Sequence, residues 1–304
     1  MALQEQAAPA ARVRASTGSM ESKRGWSWGT FGRYLAVALV VLVSLAPLYW
    51  TFITSIKNGI EINASPPTLY PQSSVNADNY VKDLAPGATS FFLQDLINSA
   101  IIAGITTILA LVLGSLCAYA IARTKFRGKG GVLSIILSVQ MIPFITMVGP
   151  LFIIFTSPGL YIYNTYAALI IPDLVITLPI TVWLLTSFFR DLPPDLEEAA
   201  LVDGDTRLGA LWHVVIPLTA PGVFAAAILS FIAVWNDLLF GLYLTTDEHA
   251  QPVTVGITRF NGEHVIAYGQ IAAAAIIVTI PLVILVLILQ RRIVAGLTAG
   301  AVKG

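Results

Sequence analysis

Charged side chains are absent from long stretches of this chain, and the intervals between them set its organisation. Residues 34–56 lie between Arg33 and Lys57, and residues 96–122 lie between Asp95 and Arg123. A helix crossing about 30 Å of hydrocarbon needs about 20 mostly apolar residues, so each interval is long enough for one crossing. From Gly130 to Pro172 no charge occurs for 43 residues, too many for one crossing. The SPGLYIYN stretch at 157–164 carries turn residues that divide it, which predicts spans near 131–155 and 165–189. Two further apolar runs, about 223–244 and 266–290, bring the expected number to six. An even number puts both termini on the same side.

Composition agrees with that pattern. With 56% apolar and 11% charged residues and a mean hydropathy of +0.79, the chain is far from soluble-domain usage and reads as an all-α membrane protein. Fourteen of its seventeen Lys and Arg fall in the termini and in the second and fourth connections, leaving Lys57, Lys82 and Arg259 on the other side. Because cytoplasmic loops retain positive charge, both termini are expected in the cytoplasm of a multi-pass cell-membrane protein. Residues 1–32, rich in Ala, Arg, Ser and Gly, read as a disordered cytoplasmic tail ahead of a six-helix domain at 33–304. The first apolar run is of spanning length and lacks a small-x-small cleavage site, unlike a removable leader. The net charge is zero, which removes the basic field that nucleic acid would require. The single cysteine, Cys117, rules out a disulfide framework. His213, His249 and His264 have no metal-ligand spacing, no serine sits in a GxSxG elbow, and no GxxxxGK[ST] phosphate loop occurs, so neither a metal nor an ATP site is expected in this chain.

Pro47, Pro143, Pro150, Pro172, Pro179 and Pro281 fall within the spans and predict bent or interrupted helices, since each removes a hydrogen-bond donor that lipid cannot replace. Asp173 lies near enough to a span end to be interfacial. Asp237, in FIAVWNDLLFGLYL, lies deeper, where a carboxylate costs about 2.5–3.5 kcal/mol and must face protein or water. Two readings stay open for it: a helix cap shared with Asn236, or a group lining the translocation pathway together with Trp235 and Asn236.

Six of the seventeen acids crowd between Asp191 and Asp205, in a connection of about 190–220. Pro193 and Pro194 suit a helix start, Asp195, Glu197 and Glu198 suit its positive end, and Gly204 suits its stop. A second short helix from Asp205 or Thr206, with Leu208, Leu211, Trp212 and Val215 on one face, is expected to end before Pro217. The pair is too short to cross and is shaped to lie at the boundary, resting on membrane lipid or presenting a small knob to a partner.

The order Glu198-Ala199-Ala200, three residues, Gly204, nine residues, then Val214-Val215-Ile216-Pro217 resembles the EAA loop of permease subunits in binding-protein-dependent ABC importers. SFFRDLPPDLEEAALVDGDT, AVWNDLLF and the terminal QRRIVAGLTAGAVKG resemble the carbohydrate branch, the second permease of maltose-type systems. The resemblance covers roughly residues 31–304, with Asp205 standing where alanine is more usual. It implies a type I importer permease fold of six transmembrane helices with a cytoplasmic coupling helix. It implies a complex with a second permease subunit, two copies of a cytoplasmic ATPase, and an extracytoplasmic sugar-binding protein or lipoprotein. ATP and Mg would then be bound by the ATPase and not by this chain. Glu197, Glu198, Ala199, Ala200, Asp203 and Gly204 would form the ATPase-coupling site, and Gly296, Lys303 and Gly304 an ATPase-contacting tail. Arg259, Phe260 and Asn261 would belong to a loop reaching the binding protein. The cargo it implies is a sugar, with a disaccharide such as trehalose or maltose expected. The competing reading is a secondary transporter or channel working without an ATPase, but the chain offers few buried charges and no evident internal repeat.

Overall fold

The computed structural model describes residues 28–85, 91–260 and 266–301. The chain divides into two compact units, one ending at Pro47 and one beginning at Leu48. The first holds most of α1 (Trp28–Ser55), whose apolar side chains between Phe31 and Pro47, among them Leu35, Val37, Leu39, Leu42 and Val43, are exposed. A helix apolar on every side is suited to lipid. It starts at Trp28, so the last five positions assigned to a disordered tail are helical, while residues 1–27 lie outside the described residues.

The second unit continues with two short helices, α2 (Gly59–Ile62) and α3 (Asp78–Leu84), and then the long α4 (Phe92–Arg123). The third expected span is two helices, α5 (Lys129–Ser138) and α6 (Ile145–Phe155), bent by 91°. The break falls where Ile142, with ψ 123°, is held extended by the following Pro143. α7 (Tyr166–Asp191) leads into α8 (Pro194–Val202), α9 (Arg207–Ala210), a π-helical turn (Leu211–Val215) and α10 (Ile216–Leu218). α11 (Ala220–Trp235), α12 (Leu239–Leu244), α13 (Val253–Thr258) and α14 (Tyr268–Ala301) follow. Among the described residues, four helices are long and apolar enough to cross a membrane, or up to six when the bent pairs Lys129–Met141 with Ile145–Phe155 and Arg207–Leu218 with Ala220–Trp235 each count as one span.

Two expectations need correction. The run at 223–244 is not one helix: α11 stops at Trp235 and α12 starts at Leu239. Asn236 and Asp237 break it by turning their side chains onto backbone groups, Asn236 Nδ2 donating to Ile232 O at 2.7 Å. The amphipathic segment after Gly204 also runs past Pro217 to Leu218. The Ile216 N–H reaches back five residues to Leu211 O, and this wider register makes room for a ring that would collide with an ordinary helical turn.

The core of this unit is a meeting of α4 and α7, joined by α11. Ala103, Thr107, Ala110, Gly114 and Ala118 are buried along one face of α4, at spacings of three and four. Lipid offers no hydrophobic drive between helices, so close approach of small residues and interhelical hydrogen bonds hold them. A Cβ at Gly114 would lie 2.7 Å from Thr181 Cγ2 of α7, and Thr181 Oγ1 is 2.9 Å from Ser230 Oγ of α11.

Candidate functional site: a helical knob fastened to the end of α4

α8 opens with Pro194 in its first turn and with Asp195 and Glu197 near its positive end. It closes in a Schellman arrangement: Asp205 N–H donates to Ala200 O at 3.0 Å, Gly204 N–H donates to Leu201 O at 3.2 Å, and Gly204 has φ +94°. The next segment starts at Thr206, whose hydroxyl accepts the Gly209 N–H at 3.0 Å. The unexpected acid, Asp205, is turned onto its own loop, accepting the Thr206 N–H at 2.8 Å and lying 3.1 Å from His213 Nδ1. That imidazole holds the Asp205 carboxyl below the usual carboxylate range. A Cβ at position 209 would fall 1.7 Å from Asp205 Oδ1, so Gly209 is what lets the two turns close together.

The six residues expected at the coupling site do not share one environment. Glu198, Ala199, Asp203 and Gly204 are exposed, and Ala200 is half-buried. Glu197 is buried at 6% exposure. Its Oε2 lies 3.1 Å from Arg123 Nε at the end of α4, and its Oε1 accepts the hydroxyl of Tyr119 one turn earlier. Arg123 also donates from Nη2 to Leu192 O at 2.8 Å, just ahead of α8. Successive residues on a helix point about 100° apart, so adjacent glutamates cannot both face outward and inward alike. Glu197 fastens the knob, and Glu198 stands on its free face. Sequence reasoning missed Arg123 and Tyr119 as members of the site. No local signal separated the two glutamates, since Glu198 stands to apolar Val202 as Glu197 stands to Leu201.

Beneath the second segment, Leu211 and Val215 are fully buried against Ala118, Tyr119, Leu185, Phe189 and Ala226. Leu208 and Trp212, assigned to that same face, are exposed, as are Leu196 and Val202 of α8. The knob therefore exposes Glu198 and Ala199 on the same short helix as apolar Leu196 and Val202 and acidic Asp195. A cavity of about 610 Å³ opens beside it, lined in part by Arg123, Lys125, Glu197, Glu198 and Arg207.

At the break in the fifth span, Trp235 is buried and stacks on Phe231 with ring centroids 5.4 Å apart. Asn236 is exposed. Asp237 accepts the N–H groups of Leu239, Phe240 and Gly241 at 3.2, 3.4 and 3.3 Å, which caps the first turn of α12. Asp173, expected at an interface, is buried at 2% exposure.

Most of 245–260 is packed structure and not a free loop. Asn98 of α4 donates to the carbonyls of Glu248 and Gln251, and Ser99 accepts the Val253 N–H at 2.8 Å. Phe260 packs on Phe92 at 6.1 Å, Arg259 is exposed, and Asn261 lies outside the described residues. Gly296 is inside α14, whereas Lys303 and Gly304 lie outside the described residues.

A family model described as the binding-protein-dependent transport system inner membrane component matches residues 110–298. The trehalose transport system permease protein SugB of Mycobacterium tuberculosis (strain CDC 1551 / Oshkosh) is 43% identical over 287 residues, covering 94% of this chain and 100% of that protein. The trehalose/maltose transport system permease protein MalG of Thermococcus litoralis is 40% identical, covering 89% of this chain and 95% of its own length. The sulfoquinovosyl glycerol transport system permease protein SmoH of Agrobacterium fabrum is 38% identical over 90% and 93%. In fold, the chain resembles a bacterial ABC transporter involved in the import of the acidic polysaccharide alginate, with a TM-score of 0.70 and 20% identity over 88% of this chain and 98% of the other.

Proposed function

This chain belongs to the binding-protein-dependent transport system inner membrane components, and we propose on that premise that it is a permease subunit of an ATP-driven importer whose cargo is a disaccharide of the trehalose or maltose type. The α8 knob is its coupling element. One observation carries this reading: the knob is fastened rigidly to the end of a membrane-spanning helix through Glu197, Arg123 and Tyr119 while Glu198 and Ala199 remain free on its outer face.

That arrangement suits the transmission of force. A cytoplasmic ATPase that grips Glu198 and the exposed apolar side chains of the same helix pulls on α8. The buried ion pair, desolvated and hydrogen-bonded on both sides, passes the displacement to α4 without play. α4 packs along α7 and α11, so movement at the knob reaches the centre of the protein. The chain has no phosphate loop of its own, so hydrolysis of ATP with its Mg falls to two ATPase copies. A second permease completes the membrane part, an extracytoplasmic binding protein delivers the sugar, and both termini face the cytoplasm, as the Lys and Arg distribution favours.

The test is ATP hydrolysis by the assembled complex, with and without its binding protein and a panel of sugars, for the wild type and for Glu198→Lys. Stimulation by one sugar in the wild type, and its loss in the variant at unchanged expression, is the expected result. Transport by this chain alone without an ATPase, or full stimulation in Glu198→Lys, would replace this reading with that of a channel or secondary transporter bearing an interfacial helix.

A further inference from the structure

Non-helical backbone at membrane depth is tolerated where it is buried in protein or lines a cavity. Helical backbone is interrupted between α5 and α6 at Pro143 and between α11 and α12 at Asn236, and both breaks border one cavity of about 400 Å³ against α7. Phe144 comes from the first break and Asn236 and Asp237 from the second, while Asp173, Ile176 and Thr177 come from α7. A volume of this size lies within the range of small-molecule sites.

The polar atoms of this cavity are nearly all acceptors. Asp173 is 2% exposed, and its Oδ2 has no hydrogen-bond partner among the described residues. Asn236 has used one of its two amide N–H groups on Ile232 O, which leaves its Oδ1 to accept and one N–H to donate. Thr177 has used its hydroxyl proton on Asp173 O at 2.9 Å. Asp237 is different, since its carboxylate is already engaged by three backbone N–H groups and holds the break in shape. An orphaned buried carboxylate in such a place is costly unless something brings donors to it. Phe144 and Ile176 supply apolar walls. The complement to acceptors set in apolar walls is a ring with C–H faces and a rim of hydroxyl donors. A metal ion is the poorer complement: no group of three or more His, Cys, Asp or Glu able to hold one occurs among the described residues.

We propose that this cavity is a sugar subsite contributed by the chain itself, in which Asp173 Oδ2 accepts a hydroxyl of a neutral pyranoside and Asn236 Oδ1 accepts a second, with Phe144 against the ring. The inference rests on the importer reading and deepens it, assigning to this subunit a direct part in choosing the cargo.

The experiment uses the whole transporter with its binding protein in proteoliposomes loaded with ATP. Uptake of radiolabelled trehalose and maltose, of their monodeoxy analogues and of a cationic amino-sugar analogue is compared for the wild type, Asp173→Asn and Asp173→Ala, with binding-protein-stimulated ATP hydrolysis measured in parallel. Asp173→Ala is expected to lower uptake of the parent sugar by up to about tenfold, the factor carried by one hydrogen bond. It is also expected to abolish the preference for the parent over the one deoxy analogue that lacks the bonded hydroxyl, with the complex still assembled. Asp173→Asn keeps an acceptor of the same shape and is expected to fall between. Unchanged uptake and unchanged preference in both variants overturn the proposal. So does loss of assembly in Asp173→Ala coupled with wild-type preference in Asp173→Asn, which makes the carboxylate purely structural. Preferential uptake of the amino sugar by the wild type, lost in Asp173→Asn, replaces the neutral ligand by a cation. A wild-type complex whose hydrolysis responds to no sugar refutes the importer reading first, and this one with it.

Discussion

Glu197 and Glu198 are neighbours in sequence with opposite tasks. Glu197 closes a buried pair with Arg123, and removing one partner of such a pair leaves an uncompensated charge, which costs about 3–5 kcal/mol. Glu197→Ala should therefore lower the thermal midpoint of the purified complex strongly. Glu198→Ala, on an exposed position, should leave the midpoint within about a degree while reducing stimulated ATP hydrolysis. Equal midpoints for the two variants would remove the distinction drawn between them. Gly204 sits at φ +94°, where an added Cβ costs about 1–2 kcal/mol. Gly204→Ala should destabilise by that amount and Gly204→Asn by less, as read by the same melts. Outside the spans, Asp83 shows a different effect. Burial in α3 pushes its carboxyl up to about 7, with an opposing hydrogen bond from Gln270. The folded state holds that proton where the unfolded chain has released it. The stability this confers is present in full below about pH 4 and is lost as the pH rises through about 7. Melts between pH 5 and 8 should show a decline that Asp83→Asn flattens; an identical slope in the variant would exclude Asp83 as its source.

Among the elements, the α4–α7 contact is the sharpest. Gly114 faces Thr181 so closely that a larger residue must displace the Thr181 side chain from its place. Overpacking of this kind costs about 1–3 kcal/mol, so Gly114→Ile should destabilise the complex by that much. Thr181→Val removes the hydroxyl contact with Ser230 and should cost only about 0.6 kcal/mol, the average for hydrogen bonds between membrane helices. Reversal of that order in thermal melts would show that polar contacts, and not close approach, hold the two helices. The break between α11 and α12 belongs to the same scale. Its residues, Asn236 and Asp237, were legible in the sequence as polar groups in an apolar run. A helix cap was one of the two readings they offered, and Asp237 does cap α12; where the span would stop was not legible, since it depends on which backbone N–H groups their side chains meet.

For the whole molecule, the distribution of Lys and Arg predicts that the α8 knob and the α2 turn lie on opposite sides of the membrane. Val202 and Ile60 are both 86% exposed, and the chain has a single cysteine, Cys117. In a Cys117→Ala background, a membrane-impermeant maleimide should label Ile60→Cys in intact cells and Val202→Cys only after permeabilisation. Labelling of Val202→Cys in intact cells would invert the orientation and remove the knob from any cytoplasmic ATPase.

Spacing of charges along one chain was enough to determine the class of this protein and the position of the knob, because hydrocarbon thickness and helix rise turn apolar length directly into candidate crossings. The helix, glycine stop and second helix of the knob were likewise local, carried by caps and turn residues within a few positions of one another. Tertiary structure alone decided which glutamate turned inward, since that depends on Arg123 and Tyr119 arriving from a helix some 70 residues earlier. It alone brought Asp173 and Asn236 to one cavity, because two interrupted helical runs must fold against α7 before acceptors distant in sequence share a wall.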